Sequence, residues 1–427
     1  MTRGGVFLIR GGRRLEGRIA PGGAKNAILP IMAASVLTDE TVSIENVPRL
    51  LDVEVFSEIV RELGGKVVRE NGRVTIQGGT LRETTVPFEL AQKIRASVLL
   101  MGPILARFGR VEVPVPGGCD IGDRPIDQHL KAFESMGAKV ERVHGQWVLS
   151  CRKLKGARVD FDVRTVTGTE NVLMAAVLAE GTTVITNAAM EPEVVDLARC
   201  LKEMGAAIEG EGTPVITVEG VNSLKGVSHT VLPDRIEAAT LLLAGVITGG
   251  SVFVEGVRPE LMEAVLDKVD QAGAVVTVND GGVGAAATGR LKSVNVSTSP
   301  FPGFPTDVQA QFMACMCIAD SVSTIEENIF ENRFRHVAEL RRLGADITVS
   351  GRVAVVRGVE RLQGAPVTAT DLRASAGLVL AGLVAEGETE VREIVHLDRG
   401  YESLEEKLNA LGAEIMRVEG EKIENPA

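Results

Sequence analysis

A sixfold internal repeat constrains the fold of this chain more than any other feature. Each copy ends in an apolar residue followed by Gly-Gly or Gly-Ala, and then by a hydrophobic strand pattern. The first glycines of this signal are Gly64, Gly137, Gly205, Gly273, Gly344 and Gly412, spaced by 73, 68, 68, 71 and 68 residues. A fixed period of this length is too long for a single solenoid turn. Each copy is therefore predicted to be a small subdomain.

The hydrophobic pattern inside one copy predicts the element order β-α-β-α-β-β, taken in some circular order. The first helix is apolar, as in residues 26–37, whereas the second is amphipathic, as in residues 53–63. A β-branched run such as 182–186 predicts the strand between the two helices, and the short runs 67–68 and 74–76 predict the closing strands. The fold class is therefore α/β.

The sixth copy lacks its last strand, because polar residues follow the run 415–418. Residues 6–11 have the pattern of the missing strand, so we expect the N-terminal strand to complete the sixth copy. The division into three copies per domain then gives one domain of residues 24–231 and a discontinuous one of residues 1–23 plus 232–427. Two chain crossings between domains predict a hinge and a cleft, which is the usual place for a ligand.

Composition excludes several classes of function. The net charge of −11 argues against a nucleic-acid-binding surface, and no apolar run approaches the roughly 20 residues of a membrane span. No signal-peptide pattern is found, so a cytoplasmic protein is expected. The five cysteines form no CxxC pair, and the five histidines form no metal-binding motif. We therefore expect no disulfides, no metal and no other cofactor, and the sequence indicates no obligatory protein partner.

Cations stand at the start of several otherwise apolar first helices, where the helix dipole favours anions instead. The residues are Lys25, Arg95, Arg235 and Arg373. Capping and solubility offer one interpretation of these positions, and an anion bound by free backbone N–H groups offers another. A second set of arginines, in loops after the middle strands, includes Arg333 and Arg399. Arginine matches carboxylate and phosphate geometry, so convergence of these side chains would describe a site for a strongly anionic substrate.

The second copy breaks the repeat at residues 116–125, a glycine-rich loop that we expect to be mobile and to expose Cys119. Cys200, Cys315 and Cys317 lie in apolar helical contexts and are predicted to be core. Asp120 and Asp123 should raise the pKa of the Cys119 thiol, which suits a proton donor, although Arg124 acts in the opposite direction.

Asp307 is the last candidate suggested by the residues themselves. An acid in the first turn of a helix is favourable and needs no further role. Its position in the other domain, facing the predicted cleft, also suits a general base for a substrate hydroxyl.

These residues lie in segments that together resemble one enzyme family from end to end. The segments are 23–26 (GAKN), 93–97 (KIRAS), 116–119 (PGGC), 124–127 (RPID), 304–307 (FPTD), 330–334 (FENRF), 370–375 (TDLRAS) and 398–402 (DRGYE). The family is that of the UDP-N-acetylglucosamine enolpyruvyl transferases. The resemblance implies a two-domain inside-out α/β barrel built from six βαβαββ-type repeats. It also implies transfer of enolpyruvate from phosphoenolpyruvate to the sugar 3-hydroxyl of UDP-N-acetylglucosamine, with release of phosphate, at the start of peptidoglycan synthesis.

The resemblance also implies roles for individual residues. Cys119 corresponds to the acid that protonates the methylene carbon and to the target of the epoxide fosfomycin, and Asp307 to the base. Phosphate and carboxylate binding is implied for Lys25, Arg124, Arg399 and, in support, Arg373. Positions that match contacts to the sugar nucleotide are Asn26, Arg95, Arg124, Pro125, Ile126, Asp127, Gln128, Asp307 and Ile329.

Two positions depart from the family, and rival functions remain open. Leu51 stands where some members carry lysine, and residues 165–169 (TVTGT) differ from the usual pattern near the nucleotide. A shikimate-type enolpyruvyl transferase would share the six-copy plan, but would have Ser-Lys-Ser where Ala24-Lys25-Asn26 stands and would lack the cysteine loop. A catalytically silent sugar-nucleotide-binding paralogue would not need the thiol, and a purely structural scaffold would not need the cations.

Overall fold

The computed structural model describes residues 5–115 and 125–418. The chain divides into two compact units, one containing residues 23–115 and 125–232 and the other residues 5–22 and 233–418. Each unit has its own hydrophobic core, and no residue is shared between the two cores within the described ranges.

In the unit of residues 23–232, the described residues form three sheets. Their strands, in spatial order, are Val227–Thr230, Thr41–Glu45, Arg73–Gln77 and Lys66–Glu70; then Arg110–Pro114, Gln146–Ser150 and Lys139–Val143; then Arg158–Asp160, Thr182–Thr186, Val215–Glu219 and Ala207–Glu209. The α-helices of this unit are Lys25–Ala34, Leu51–Glu62, Phe88–Lys93, Met101–Phe108, Asp127–Ser135, Val166–Ala176 and Pro192–Glu203, with 3₁₀ turns at Ser35–Leu37, Gly78–Thr80 and Arg95–Leu100.

The described residues of the other unit also form three sheets. Their strands are Glu16–Ile19, Ser251–Glu255, Gly282–Ala286 and Val275–Asn279; then Val296–Ser297, Val322–Glu326, Val353–Arg357 and Asp346–Ser350; then Pro366–Thr368, Glu388–Arg392, Val6–Arg10 and Ile415–Val418. The α-helices are Arg235–Ile247, Glu263–Gln271, Gln309–Met316, Val337–Arg342, Leu372–Val384, Val395–Asp398 and Leu404–Ala410, with 3₁₀ turns at Pro259–Leu261 and Thr306–Val308.

All six sheets share one plan. A short edge strand runs parallel to the strand between the two helices. On the other side of this middle strand one strand pairs antiparallel with it, and the last strand pairs antiparallel with that one. In the second copy the parallel edge is reduced to a single bridge between Thr85 and Glu112, and the additional helix Phe88–Lys93 follows it. The sequence analysis did not predict this helix.

The first helix of each copy lies inside its unit, and the sheets lie outside. Every residue of Arg235–Ile247 is buried, as expected for a helix that is apolar on all sides. In the strands, buried and more exposed residues alternate, as in Thr41–Glu45 with Val42 and Ile44 inward, because only one face of the sheet covers the helices. This arrangement is the inside-out α/β barrel fold that the resemblance implied.

The N-terminal strand completes the sixth copy, which confirms the expectation from the sequence. Val6–Arg10 lies between Glu388–Arg392 and Ile415–Val418 and pairs antiparallel with both. Cys200, Cys315 and Cys317 are buried, as predicted.

Candidate functional site

Two of the residues predicted for the site, Cys119 and Arg124, lie outside the described residues, as does most of the loop 116–125. The other predicted residues fall in both units, and each unit is described by itself.

Lys25 is the first residue of the helix Lys25–Ala34, whose N-cap residue Ala24 provides no side-chain cap. Its Nζ lies 2.8 Å from Oδ2 of the buried Asp52. Gly23 makes this helix start possible, since a Cβ at that position would lie 1.9 Å from the carbonyl oxygen of Asn46. Asn26 follows with an exposed side chain. The unit therefore presents a cation and an amide at the start of an otherwise apolar helix.

Arg95 begins the 3₁₀ turn Arg95–Leu100 and is half-buried. Burial, with the charge of Arg95 as a second cause, lowers the pKa of His129 to about 4. His129 is therefore a neutral imidazole at pH 7, and its Nε2 lies 3.1 Å from Oγ1 of Thr167. Thr167 belongs to the segment 165–169 that departs from the family pattern, so this segment contacts the residue that directly follows Gln128 in the chain.

The residues predicted at 125–128 form the start of the helix Asp127–Ser135. Pro125 and Asp127 are exposed, whereas Ile126 is buried. The Gln128 side chain is fixed at both ends by Asp162, because its Oε1 accepts from the backbone N–H at 2.9 Å and its Nε2 donates to Oδ2 at 3.3 Å. Gln128 is thus oriented by a partner that the sequence analysis did not identify.

In the other unit, the helices Arg235–Ile247 and Leu372–Val384 begin with aspartate caps. Asp234 accepts from the N–H groups of Ile236 and Glu237, and Asp371 accepts from those of Arg373 and Ala374. Because the caps satisfy the helix ends, the cation at the first turn of Leu372–Val384 is not needed there for capping.

Asp307 lies between two guanidinium groups. Its Oδ1 accepts a hydrogen bond from Nη2 of Arg333 at 2.7 Å, and its Oδ2 lies 3.6 Å from Nε of Arg373. Arg373 also lies 3.7 Å from Oδ2 of Asp234. The structure therefore brings together Asp307, Arg333 and Arg373, which are three of the residues singled out from the sequence.

The guanidinium of Arg373 is only 3% exposed. Burial by itself would lower its pKa, but Asp234 and Asp307 contribute to a net rise, so the group is a cation. Its Nε and Nη1 have no hydrogen-bond partner within residues 5–115 and 125–418. Buried N–H groups of a cation are costly when unpaired, and a carboxylate or phosphate is the acceptor that matches them.

Arg399 directly follows the short helix Val395–Asp398 and is half-buried. Burial, followed by the charge of Arg399, lowers the pKa of the neighbouring His396. A second histidine, His336, is fully buried, and burial lowers its pKa to about 4. Both imidazoles are therefore neutral at pH 7 and add no charge near the arginines.

Glu327 organises the loop that carries Ile329. Its buried carboxylate accepts from the hydroxyls of Thr298 and Thr306 at 2.9 and 2.8 Å and from the N–H of Ile329 at 2.9 Å. Since Thr306 directly precedes Asp307, one carboxylate fixes both predicted site positions. The sequence analysis missed Glu327, and only its place after a predicted strand could have suggested it.

The chemistry available to these residues is electrostatic and acid–base. The described residues contain no group of three or more His, Cys, Asp or Glu side chains placed to hold a metal ion. None of the helices in the described ranges combines the length and apolar character that a membrane span requires. What the site does offer is buried cations for phosphate or carboxylate and one carboxylate acceptor, Asp307, between two of them.

Comparison with protein families gives a match to EPSP synthase (3-phosphoshikimate 1-carboxyvinyltransferase) over residues 9–408. Two curated relatives are UDP-N-acetylglucosamine 1-carboxyvinyltransferases. The protein of Myxococcus xanthus is 54% identical over 416 residues, and that of Xylella fastidiosa is 54% identical over 421 residues. Each alignment covers 96% of this chain and 99% of the relative.

Among solved structures, the enolpyruvyl transferase NikO from Streptomyces tendae is similar, with a TM-score of 0.87 and 26% identity over 98% of this chain and 100% of that one. EPSP synthase from Acinetobacter baumannii has a TM-score of 0.74 at 21% identity over 96% of this chain and 100% of its own. The second likeness concerns the fold alone.

Proposed function

Since this chain belongs to the EPSP synthase family, and within it to the UDP-N-acetylglucosamine 1-carboxyvinyltransferases, we propose that it transfers enolpyruvate from phosphoenolpyruvate to the 3-hydroxyl of UDP-N-acetylglucosamine. Phosphate is the second product. The observation that carries this function is the 54% identity with two such transferases over 96% of the chain. The reaction supplies a precursor of peptidoglycan.

The reaction proceeds by addition and elimination. The methylene carbon of phosphoenolpyruvate takes up a proton, and the sugar oxygen forms a bond to the neighbouring carbon while its hydroxyl proton leaves to a base. In the tetrahedral intermediate the methyl group then returns a proton as the C–O bond to phosphate breaks. The steps need one acid, one base and cations that stabilise the phosphate and carboxylate charges.

The proposed roles follow the chemistry of the side chains. Cys119 is the acid that protonates the methylene carbon. Asp307 is the base that orients the sugar hydroxyl and accepts its proton. Lys25, Arg124 and Arg399 bind phosphate and carboxylate, with Arg373 in support. The proposed contacts to the sugar nucleotide are Asn26, Arg95, Arg124, Pro125, Ile126, Asp127, Gln128, Asp307 and Ile329.

The geometry supports these roles at three points. The buried cation of Arg373 has unpaired N–H groups that an anion would satisfy. Arg333 holds one oxygen of Asp307, so the carboxylate has a defined orientation for a hydroxyl donor. Lys25 is held by Asp52 at the start of a helix, where backbone N–H groups also favour an anion.

The proposal extends to organisation and location. The two compact units are proposed to be the two three-repeat domains, 24–231 and 1–23 with 232–427. Both substrates are multiply charged, so a cytoplasmic enzyme is proposed, with roles in cell-wall biogenesis, cell shape and cell division. No metal or organic cofactor takes part in the proposed chemistry, and the reaction needs no protein partner.

Phosphate release tests the function directly. The protein is mixed with phosphoenolpyruvate and UDP-N-acetylglucosamine, and in a parallel reaction with phosphoenolpyruvate and shikimate 3-phosphate. Release only with the sugar nucleotide is expected. Release only with the shikimate ester would assign the second candidate function, that of an EPSP synthase. This candidate is included because the matching family model is named for that enzyme. Nucleotide binding without release in either reaction would instead indicate a silent binding protein.

Cys119→Ser tests the proposed acid. Turnover should fall sharply while the affinity for UDP-N-acetylglucosamine stays nearly constant, because the thiol acts on phosphoenolpyruvate. Inactivation by fosfomycin should also be lost, since the thiol is the proposed nucleophile toward the epoxide. Unchanged turnover would remove Cys119 from the mechanism.

A further inference from the structure

A buried hydrogen-bond network contacts both Asp307 and Arg373. It consists of the side chains of Thr240, Gln311 and Tyr401, none of which is more than 2% exposed. Thr240 lies on the helix Arg235–Ile247, Gln311 lies on Gln309–Met316, and Tyr401 closely follows Val395–Asp398. The network thus joins three segments of one unit.

Gln311 is the centre of this network. Its Nε2 lies 2.9 Å from the backbone oxygen of Asp307, 3.1 Å from Oγ1 of Thr240 and 3.2 Å from Oη of Tyr401. The two hydroxyl oxygens lie 3.0 Å apart, and Thr240 Oγ1 is also 2.9 Å from the carbonyl of Ile236.

The available protons limit the possible directions of these bonds. The amide of Gln311 has two N–H groups, and each hydroxyl has one O–H. Thr240 donates to the carbonyl of Ile236, Tyr401 donates to Thr240, and Gln311 donates to Tyr401 and to Asp307. In this assignment every proton has one acceptor, and donation from Gln311 to Thr240 in place of Tyr401 satisfies the same count; in both arrangements Gln311 donates to Asp307.

Tyr401 also faces the guanidinium of Arg373. The carbon Cζ of Arg373 lies 5.1 Å from the centroid of the Tyr401 ring, within range of a cation–π contact. The two carboxylates beside Arg373, at 3.6 and 3.7 Å, are beyond ordinary hydrogen-bond distance. Tyr401 therefore contacts this buried cation with both its ring and its hydroxyl, which accepts a hydrogen bond from the guanidinium.

We propose that Gln311 and Tyr401 are positioning residues, which set the backbone of Asp307 and the plane of the Arg373 guanidinium for enolpyruvyl transfer. Neither residue touches the substrates in this role. The assignment rests on the proposed function, because Asp307 and Arg373 act in that reaction. Small displacements of reacting groups are costly for turnover, whereas they change the binding of a distant nucleotide moiety little.

Gln311→Met is the main test, with Gln309→Met as its matched control. Gln309 lies on the same helix and is equally buried. Neither the nitrogen nor the oxygen of its side-chain amide has a hydrogen-bond partner among the described residues. The two variants therefore make the same chemical change in the same helix, and only one of them removes the donor to Asp307.

The kcat for phosphate release and the dissociation constant for UDP-N-acetylglucosamine are measured for both variants. Gln311→Met is expected to lower kcat by about tenfold to a hundredfold with little change in nucleotide affinity, while Gln309→Met keeps the wild-type kcat. Equal kcat values for the two variants would overturn the assignment. So would a loss of nucleotide affinity as large as the loss of kcat, because general disruption would explain it.

Tyr401→Phe keeps the ring beside Arg373 but removes the hydroxyl and with it the bonds to Thr240, Gln311 and Arg373. It is the second variant if Gln311→Met does not fold. A decrease in kcat relative to the wild type is expected, because Arg373 loses its bond to the hydroxyl, although Gln311 retains its bond to Asp307. A folded Tyr401→Phe protein with wild-type kcat would show that Tyr401 is not a positioning residue. Absence of turnover in the wild-type protein would refute the proposed function itself. A result from the variants alone would refute only the positioning role.

Discussion

At the scale of single residues, the candidate site depends on carboxylates that hold its parts in place. Asp52 holds Lys25, Asp371 caps the helix of Arg373, and Glu327 ties Thr306 to Ile329. These acids are buried, so each must be paired to be tolerated. Their contribution to function is therefore indirect, through the orientation of the groups beside them.

Replacing Glu327 by Gln should lower turnover more than it lowers nucleotide affinity. The amide has one acceptor oxygen in place of two, so it cannot accept from both hydroxyls and from the N–H groups of Ile329 and Phe330. Unpaired buried donors cost about 1–3 kcal/mol in stability. Steady-state kinetics and urea unfolding measure the two effects, and a variant with wild-type kcat would show that the turn before Asp307 does not need this acid.

His229 predicts a pH dependence of stability for the unit of residues 23–232. Its Nδ1 lies 2.8 Å from Glu203 and its Nε2 3.3 Å from Asp196, so both ring nitrogens face carboxylates. Burial alone would lower the pKa of His229, but the hydrogen bonds to Asp196 and Glu203 raise it overall.

Since the pKa is raised on folding, the stabilisation is fully present below the unfolded value of about 6.5 and is lost as the pH rises through the folded value. The wild-type protein should thus lose stability relative to His229→Gln as the pH rises through this interval. Urea unfolding of both proteins over a pH series from about 5 to about 9, which starts below the ordinary histidine pKa of about 6.5, gives the comparison. Parallel pH profiles for the two proteins would contradict the expectation.

At the scale of elements, the start of Lys25–Ala34 depends on a close backbone approach. A Cβ at residue 23 would lie 1.9 Å from the carbonyl oxygen of Asn46 and 3.1 Å from its carbonyl carbon. Neither atom belongs to a flexible side chain, so the helix start or the strand end must move.

Gly23→Ala should therefore displace Lys25 and abolish most of the turnover, with a loss of about 1–3 kcal/mol in stability. Gly289→Ala is the control, because a Cβ there meets nothing within 4 Å. Phosphate release and thermal unfolding are measured for both. A fully active Gly23→Ala protein would show that the helix start tolerates movement.

The sequence predicted elements better than contacts. The strand Thr182–Thr186 has the predicted bounds, and the helix predicted at 53–63 is found at Leu51–Glu62. These succeeded because periodicity is local. The Glu327 hydroxyl partners, by contrast, are 21 and 29 residues away, and Tyr401 lies 161 residues from Thr240. The Glu327 pairs depend on how loops fold back within one copy, and the Tyr401 pair depends on how copies pack. Local periodicity contains neither kind of information.

At the scale of the whole molecule, the two units differ in whether they are formed from one continuous part of the chain or from two separate parts. The unit of residues 23–232 is continuous in sequence apart from the segment outside the described ranges, and the N–H of Ala24 bonds to the carbonyl of Leu232 at 2.8 Å. The other unit takes an inner strand, Val6–Arg10, and an edge strand, Glu16–Ile19, from the beginning of the chain.

A fragment of residues 23–232 should therefore fold alone, whereas a fragment of residues 233–427 should not. The second lacks one strand of each of two sheets and leaves apolar faces uncovered. Circular dichroism and urea unfolding distinguish a cooperative transition from its absence. Joining residues 1–22 to the C-terminal end of the second fragment through a flexible linker should restore folding, and failure of both fragments would show that the units are not independent.

The position of Val6–Arg10 also has a consequence for how the protein is made. This strand is synthesised well before its partners at 388–392 and 415–418. At about 5–20 residues per second, the ribosome needs roughly 20–80 seconds to reach the second partner. Phe7 and Ile9, which end up fully buried, have no strand to pair with during that time. Three arginines follow closely, Arg10, Arg13 and Arg14. Such charges reduce the association of an unpaired apolar strand with other nascent chains.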